Sequence, residues 1–145
     1  MGKKALDSWL IDTALFKSRG PGSPQRSSLR SWIEANEAPL FLSAASLVEL
    51  EAAIDKIPAS RAERASALRK WLNDLVATFG DRIHPVDARV ARRAGGLLRH
   101  CTVGPVRHRF HDALLAATTQ VHGHGILTKR EAVFGVWTRV MVASP

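Results

Sequence analysis

Cysteine is nearly absent from this sequence, and tyrosine is entirely absent. The single cysteine, Cys101, excludes a disulfide within the chain, so a reducing, cytoplasmic setting is expected. Aromatic residues make up only 6% of the chain, and no apolar run approaches the ~20 residues that a membrane span requires. The basic N-terminal residues lack the apolar stretch of a signal peptide, so we expect no association with a membrane.

Acidic residues are also scarce relative to basic ones. Asp and Glu number 13 against 21 Lys and Arg, which gives a formal net charge of +8. This surplus favours a polyanionic partner such as RNA or DNA, or an acidic protein, although it also fits a charge that only maintains solubility. The length suits one domain with a real core, and we assign residues 1–145 to a single domain.

Short apolar runs and helical periodicities alternate along the chain. Buried strands are predicted at residues 9–12 and 39–44 and within RIHPV, HGILT and RVMVAS. Helices are predicted at 25–36, 46–57, 60–79 and 110–123 and after Asp87, with Gly80 and Gly123 or Gly125 as stops. This order predicts an α/β domain with a short, mainly parallel sheet flanked by helices.

Three acidic residues fall where ligand sites form in such a sheet. Asp12 ends the first strand, Glu49 lies in the predicted first turn of the next long helix, and Asp112 begins a later helix. Ligands bind beyond the carboxyl ends of parallel strands, so the three carboxylates can meet at one edge. Each also has a local explanation: Asp12 as a helix cap, Glu49 in a capping box with Ser46, and Asp112 as a complement to a helix dipole.

A cluster of carboxylates calls for a cation, because like charges repel one another. Mg²⁺ and Mn²⁺ prefer oxygen ligands, polarise phosphate oxygens and lower the pKa of a bound water. On a strongly basic protein, such a cluster suggests metal-dependent cleavage of a phosphodiester.

Four segments, taken in order, resemble the PIN-domain ribonucleases, in particular the VapC and FitB-like toxins of bacterial toxin–antitoxin pairs. They are LIDT at 10–13, LFLSAASLVELEAAI at 40–54, WLNDLVATFGDRIHPVDARVA at 71–91 and HDALLAATTQVHGHGILTKREAVF at 111–134. The resemblance implies a Mg²⁺- or Mn²⁺-dependent endoribonuclease that is inhibited by a small antitoxin protein. It also implies a homodimer, for which Trp32 and the apolar stripe of residues 65–79 are candidate contacts.

The resemblance also implies roles for individual residues. The acidic residues of the family, which are its metal ligands and catalytic groups, map onto Asp12, Glu49 and Asp112. Thr128, at the end of a late strand, is assigned to catalysis beside them. The expected contacts with the RNA substrate are Thr13, beside Asp12, and three basic residues whose charge and not the resemblance indicates this role: Arg107, Arg109 and Arg130.

Three positions depart from the family pattern. Ala14 stands where the family often has Asn, Arg130 where it has Asn or Asp, and Val133 where it has Asp. A fourth acidic or amide group is therefore missing, so the site binds metal weakly, or Arg130 contacts the substrate phosphate in place of a second ion. The alternative function is a weak or inactive PIN-like module that binds an antitoxin or nucleic acid.

A zinc site is a further possibility, because His108 and His111 lie three residues apart with His100 and Cys101 nearby. The spacing fits no closed pattern of four ligands. A basic loop that binds RNA phosphates is the competing interpretation of the same segment.

Overall fold

The structure, a computed structural model, describes residues 8–17, 39–99 and 109–142. Its strands are β1 (Trp9–Ile11), β2 (Leu40–Ser43), β3 (Ile83–His84), β4 (Gly125–Thr128) and β5 (Val140–Val142). They form one sheet in the order β3-β2-β1-β4-β5, and every pairing within these ranges is parallel. The predicted α/β fold with a mainly parallel sheet is confirmed.

Helices connect the strands and cover the sheet. They are α1 (Ala14–Lys17), α2 (Ala44–Asp55), α3 (Ala62–Phe79), α4 (Ala88–Leu97), α5 (Phe110–His122) and α6 (Glu131–Phe134). Single turns of 3₁₀ helix, Ala59–Arg61 and Gly80–Arg82, flank α3. Of the helices in these described ranges, none combines the length and the apolar character needed to cross a bilayer.

The central strand β1 divides its side chains between two hydrophobic layers, because successive residues of a strand point to opposite faces. Trp9 and Ile11 join the layer formed with α2 and α3, whereas Leu10 joins the layer formed with α4 and α5. Leu10 and Ile11 are fully buried. The end of β1 is therefore fixed from both faces, and so is the residue that follows it.

Three predicted helix ends agree with the structure. Gly80 ends α3 with φ +53° and Gly123 ends α5 with φ +74°, a backbone region that glycine enters without steric cost. Asp87 caps α4, because its Oδ1 accepts a hydrogen bond from the Val90 backbone N–H at 3.0 Å.

The beginning of α2 differs from the sequence prediction. Its N-cap is Ser43, whose Oγ accepts a hydrogen bond from the Ala45 N–H at 3.1 Å. The helix therefore begins at Ala44, so Glu49 lies in its second turn, and the capping box predicted for Ser46 and Glu49 is wrong. The one-turn helix α6 was also not predicted, and the predicted helix at 25–36 lies outside the described residues.

Three histidines pack together near the amino end of β4. The buried His124 lies with its Nε2 2.8 Å from the Nε2 of His84, and its ring stacks on Phe41 with centroids 4.2 Å apart. His122 stacks on His84 with centroids 3.7 Å apart. Burial, and then the positive charges of His84, His122 and Arg139, lower the pKa of His124 to about 4.

We expect this cluster to make folding sensitive to acid. Folded His124 takes up a proton only near pH 4 and the unfolded side chain does so near pH 6.5, so the unfolded state binds more protons between these values. The free energy of unfolding should therefore fall by about 3 kcal/mol as the pH drops from 6.5 to 4, and this contribution should be fully present above pH 6.5. Urea denaturation at a series of pH values measures the slope, which should shrink in His124→Gln. An equal slope in the variant would refute the assignment to His124.

At Gly125 the packing of neighbouring residues leaves no space for a side chain. A Cβ there would overlap the six-membered ring of Trp9 and lie 3.1 Å from the backbone oxygen of Arg139. Gly125→Ala should therefore lower the free energy of unfolding by about 2 kcal/mol. Gly95→Ala in α4 is the matched control, since a Cβ there would meet no atom within 4 Å from the described residues beyond its chain neighbours and the nearby backbone of its own helix, and it should be neutral or stabilising. Thermal denaturation compares the two variants, and a wild-type melting temperature for Gly125→Ala would contradict this packing.

Candidate functional site

Asp12 directly follows β1 at the carboxyl edge of the sheet and is fully buried. Its backbone N–H donates to the Leu127 carbonyl at 2.9 Å, which continues the ladder between β1 and β4 by one bond. The carboxylate accepts at Oδ1 from the Ala14 N–H at 3.2 Å and at Oδ2 from the Thr128 hydroxyl at 2.7 Å. These bonds fix the carboxylate on a rigid part of the fold.

Asp112 is the third residue of α5 and is also fully buried. Its Oδ2 accepts a hydrogen bond from the Arg109 backbone N–H at 3.0 Å, in the first turn of the helix. The partial positive charge of a helix N-terminus favours a carboxylate at this position. Asp112 therefore complements the dipole of α5, and this is compatible with an additional role in chemistry.

One guanidinium joins the two buried carboxylates. Arg130 donates from Nε to Asp12 Oδ2 and from Nη2 to Asp12 Oδ1, both at 3.0 Å, and from Nη2 to Asp112 Oδ1 at 2.8 Å. Burial opposes its charge, yet hydrogen bonds and the charges of Asp12 and Asp112 raise the pKa of Arg130 above its ordinary value. Arg130 is therefore a permanent cation at the centre of this site.

Glu49 reaches the same edge from α2. Its Oε1 lies 3.4 Å from Nδ1 of His111 and 3.9 Å from Nη1 of Arg109, whose Nε lies 3.6 Å from Oδ2 of Asp112. Glu49 is thus connected to Asp112 through Arg109, and Asp112 is connected to Asp12 through Arg130. The side chain of Arg109 is 50% exposed, which makes it the more accessible of the two arginines at this edge.

Thr13 belongs to a buried polar group beside Glu49. Its hydroxyl donates to Ser46 Oγ at 2.6 Å and lies 3.1 Å from Nε2 of His111. Sequence reasoning missed Ser46 as a member of this site and interpreted His111 only as a zinc or loop residue. The sequence signal that could have identified Ser46 is its position three residues before Glu49, because residues three apart share a helix face.

Seven predicted site residues surround this one edge of the sheet: Asp12, Thr13, Glu49, Arg109, Asp112, Thr128 and Arg130. The eighth, Arg107, lies outside the described residues. So do His100, Cys101 and His108, which were grouped with His111 in the zinc hypothesis.

The fit of a divalent metal depends on Arg130. Carboxylate oxygens are suitable ligands for Mg²⁺ or Mn²⁺, but Arg130 binds both oxygens of Asp12 and one oxygen of Asp112. Within residues 8–17, 39–99 and 109–142, no group of three or more His, Cys, Asp or Glu side chains is arranged to hold a metal ion. With Arg130 in this position, the site does not fit the predicted metal.

Known proteins share this fold. The crystal structure of FitAcB from Neisseria gonorrhoeae has a TM-score of 0.76 at 21% identity, over 92% of this chain and 96% of that chain. DNA-bound VapBC from Salmonella typhimurium has a TM-score of 0.58 at 19% identity, over 93% and 97% of the two chains. VapBC-5 from Mycobacterium tuberculosis has a TM-score of 0.59 at 18% identity, over 95% and 98%. No curated protein matches the sequence.

The sequence itself matches a family model. The model of the PIN domain covers residues 4–132, and PIN domains are generally nucleases that use divalent metals. The predicted resemblance to PIN domains of the VapC and FitB kind is thereby confirmed. Because the match extends from before β1 to beyond β4, the chain belongs to the PIN domain family.

Proposed function

We propose that this chain is the toxin of a toxin–antitoxin pair and acts on RNA as an endoribonuclease. The observation that carries the proposal is the burial of Asp12 and Asp112, distant in the sequence, at the carboxyl edge of a PIN-domain sheet. Burying carboxylates is costly, and such positions are enriched in functional sites. The similar solved structures include a toxin–antitoxin complex from Klebsiella pneumoniae, which supports an antitoxin partner for this chain.

Positive groups at the rim of the site support a phosphodiester substrate. Arg109 is half-exposed, and the side chain of Arg130 is 26% exposed. The hydrogen bonds of Arg130 to the carboxylates use Nε and Nη2, so the two Nη1 hydrogens are left for a phosphate oxygen. The net charge of +8 adds a long-range attraction to nucleic acid that should weaken as salt rises.

Mg²⁺ or Mn²⁺ stays the predicted cofactor of the proposed nuclease, and Asp12, Glu49 and Asp112 would hold it only when Arg130 has left Asp12 and Asp112. When bound, such an ion supplies polarisation of a phosphate oxygen and an activated water. The arrangement described above supports no step that uses the ion while Arg130 occupies the carboxylates. In that arrangement Arg130 balances one of the two negative charges of Asp12 and Asp112, and Thr128 orients Asp12.

The remaining parts of the proposal are expectations from the sequence. The resemblance implies a homodimer and a role for Thr13 at the substrate, the basic loop indicates a phosphate contact by Arg107, and the single cysteine indicates a cytoplasmic location. Residues 65–79 on α3 are the described part of the predicted dimer contact, and Trp32 lies outside the described residues.

A second candidate function is a PIN-like module that binds an antitoxin or nucleic acid without cutting it. The position of Arg130 favours this candidate, because a guanidinium between the carboxylates leaves no room for an ion there. A guanidinium also does not lower the pKa of water in the way that a divalent ion does.

RNA cleavage separates the two functions. The purified chain, incubated with labelled RNA and either Mg²⁺ or Mn²⁺, should yield fragments on a denaturing gel. Asp112→Asn should lower the rate about 100-fold or more, the size of effect typical for loss of a catalytic group. Asp74→Asn, the same change at an exposed position of α3, is the matched control and should cleave like the wild type.

The controls decide between the remaining outcomes. Circular dichroism establishes that Asp112→Asn is folded, and a filter assay measures its RNA binding. Undiminished cleavage by folded Asp112→Asn would refute a catalytic role for the carboxylates. Binding of RNA by the wild type with no cleavage under any metal condition would replace the nuclease with the binding module.

A further inference from the structure

Arg130 takes the space between two carboxylates that a bridging divalent ion would need. It binds Asp12 through two parallel hydrogen bonds and Asp112 through a third, at 2.8–3.0 Å. The side chains of Asp12 and Asp112 are 1% and 0% exposed, so solvent contributes little to their neutralisation. The chain therefore places one of its own cations between the two acids.

The position of Arg130 is determined by more than the carboxylates. Its backbone N–H donates to Thr128 Oγ1 at 2.9 Å, and the same hydroxyl donates to Asp12. Its guanidinium lies 5.2 Å from the ring centroid of the buried Phe134, a favourable arrangement for a cation and an aromatic face. Backbone, ring and carboxylates all favour the same placement, so the guanidinium is preorganised between the two acids.

We propose that Arg130 is an internal counter-ion that excludes divalent metal, so that the chain binds Mg²⁺ or Mn²⁺ only in a minor state in which Arg130 has left Asp12 and Asp112. This inference rests on the carboxylate site of the proposed function but concerns its cation and not its RNA. The side chain of Arg130 is 26% exposed, so it has a route to solvent that the two buried carboxylates lack. A metal must compete with the state in which Arg130 is bound to the two acids. Its apparent affinity is therefore reduced in proportion to the small fraction of molecules in which Arg130 has left them.

Metal binding by the wild type and three variants tests the inference. Isothermal titration calorimetry with Mn²⁺, without RNA, should give Arg130→Gln a dissociation constant at least about tenfold lower than that of the wild type. Lys129→Gln removes one positive charge from the adjacent, exposed residue and should bind Mn²⁺ like the wild type. The gain in Arg130→Gln should disappear when Asp112→Asn is added, because the gained site then loses a ligand.

Several outcomes would overturn the inference. They are equal Mn²⁺ affinity in the wild type and Arg130→Gln, an equal gain in Lys129→Gln, and a gain that survives Asp112→Asn. If Arg130→Gln fails to fold in metal-free buffer, refolding in millimolar Mn²⁺ replaces the titration: recovery of the native circular dichroism supports the inference, and no recovery overturns it. RNA cleavage enters none of these measurements, so the nuclease proposal and this inference can fail separately.

Discussion

The charge of Arg130 between Asp12 and Asp112 is the interaction on which this edge of the PIN domain depends. The three residues come from separate parts of the chain: after β1, within α5 and after β4. Two buried carboxylates would repel each other and lose their hydration without a cation nearby. The guanidinium reduces both penalties, because it supplies one positive charge and directed hydrogen bonds to both acids. Arg109, whose Nε lies 3.6 Å from Asp112 Oδ2, supplies a second positive charge.

A second polar group is built around this pair and shares one member with it. Thr13 and Ser46 are hydrogen-bonded in the interior, His111 lies between Thr13 and Glu49, and Arg109 lies between Glu49 and Asp112. A change at Asp112 therefore acts on both groups. Buried polar networks of this kind couple their members, so single substitutions report on the network as well as on one side chain.

Much of this arrangement follows from local patterns in the sequence. Asp12 is predictable because a run of apolar residues ends in a carboxylate, and Asp112 because it stands at the start of a periodic helix. The sequence also indicates that Arg130 departs from the family pattern. The contact of Arg130 with Asp112 was not predictable. It depends on how the loop after β4 approaches α5, which no local pattern encodes.

The errors in the prediction have similar causes. Ser43 and Ser46 are both good helix caps, and the choice between them depends on where β2 leaves the sheet, so the pattern alone favoured the wrong one. The contact of His84 with His122 and His124 was missed because it joins residues about forty positions apart in the sequence. In each case the deciding information lies in tertiary packing and not in the composition of the segment.

An arginine and a divalent ion are not equivalent solutions to the problem of two buried acids. A divalent ion carries enough charge to balance both carboxylates and brings open coordination positions and an activated water, whereas the guanidinium carries a single positive charge and brings only hydrogen-bond donors. The ion also depends on supply and can be removed by a chelator, whereas Arg130 is covalently part of the chain and keeps its charge at all physiological pH values. In this PIN domain the cation between the two acids is therefore part of the fold itself, and any metal would have to displace Arg130 from Asp12 and Asp112 to reach them.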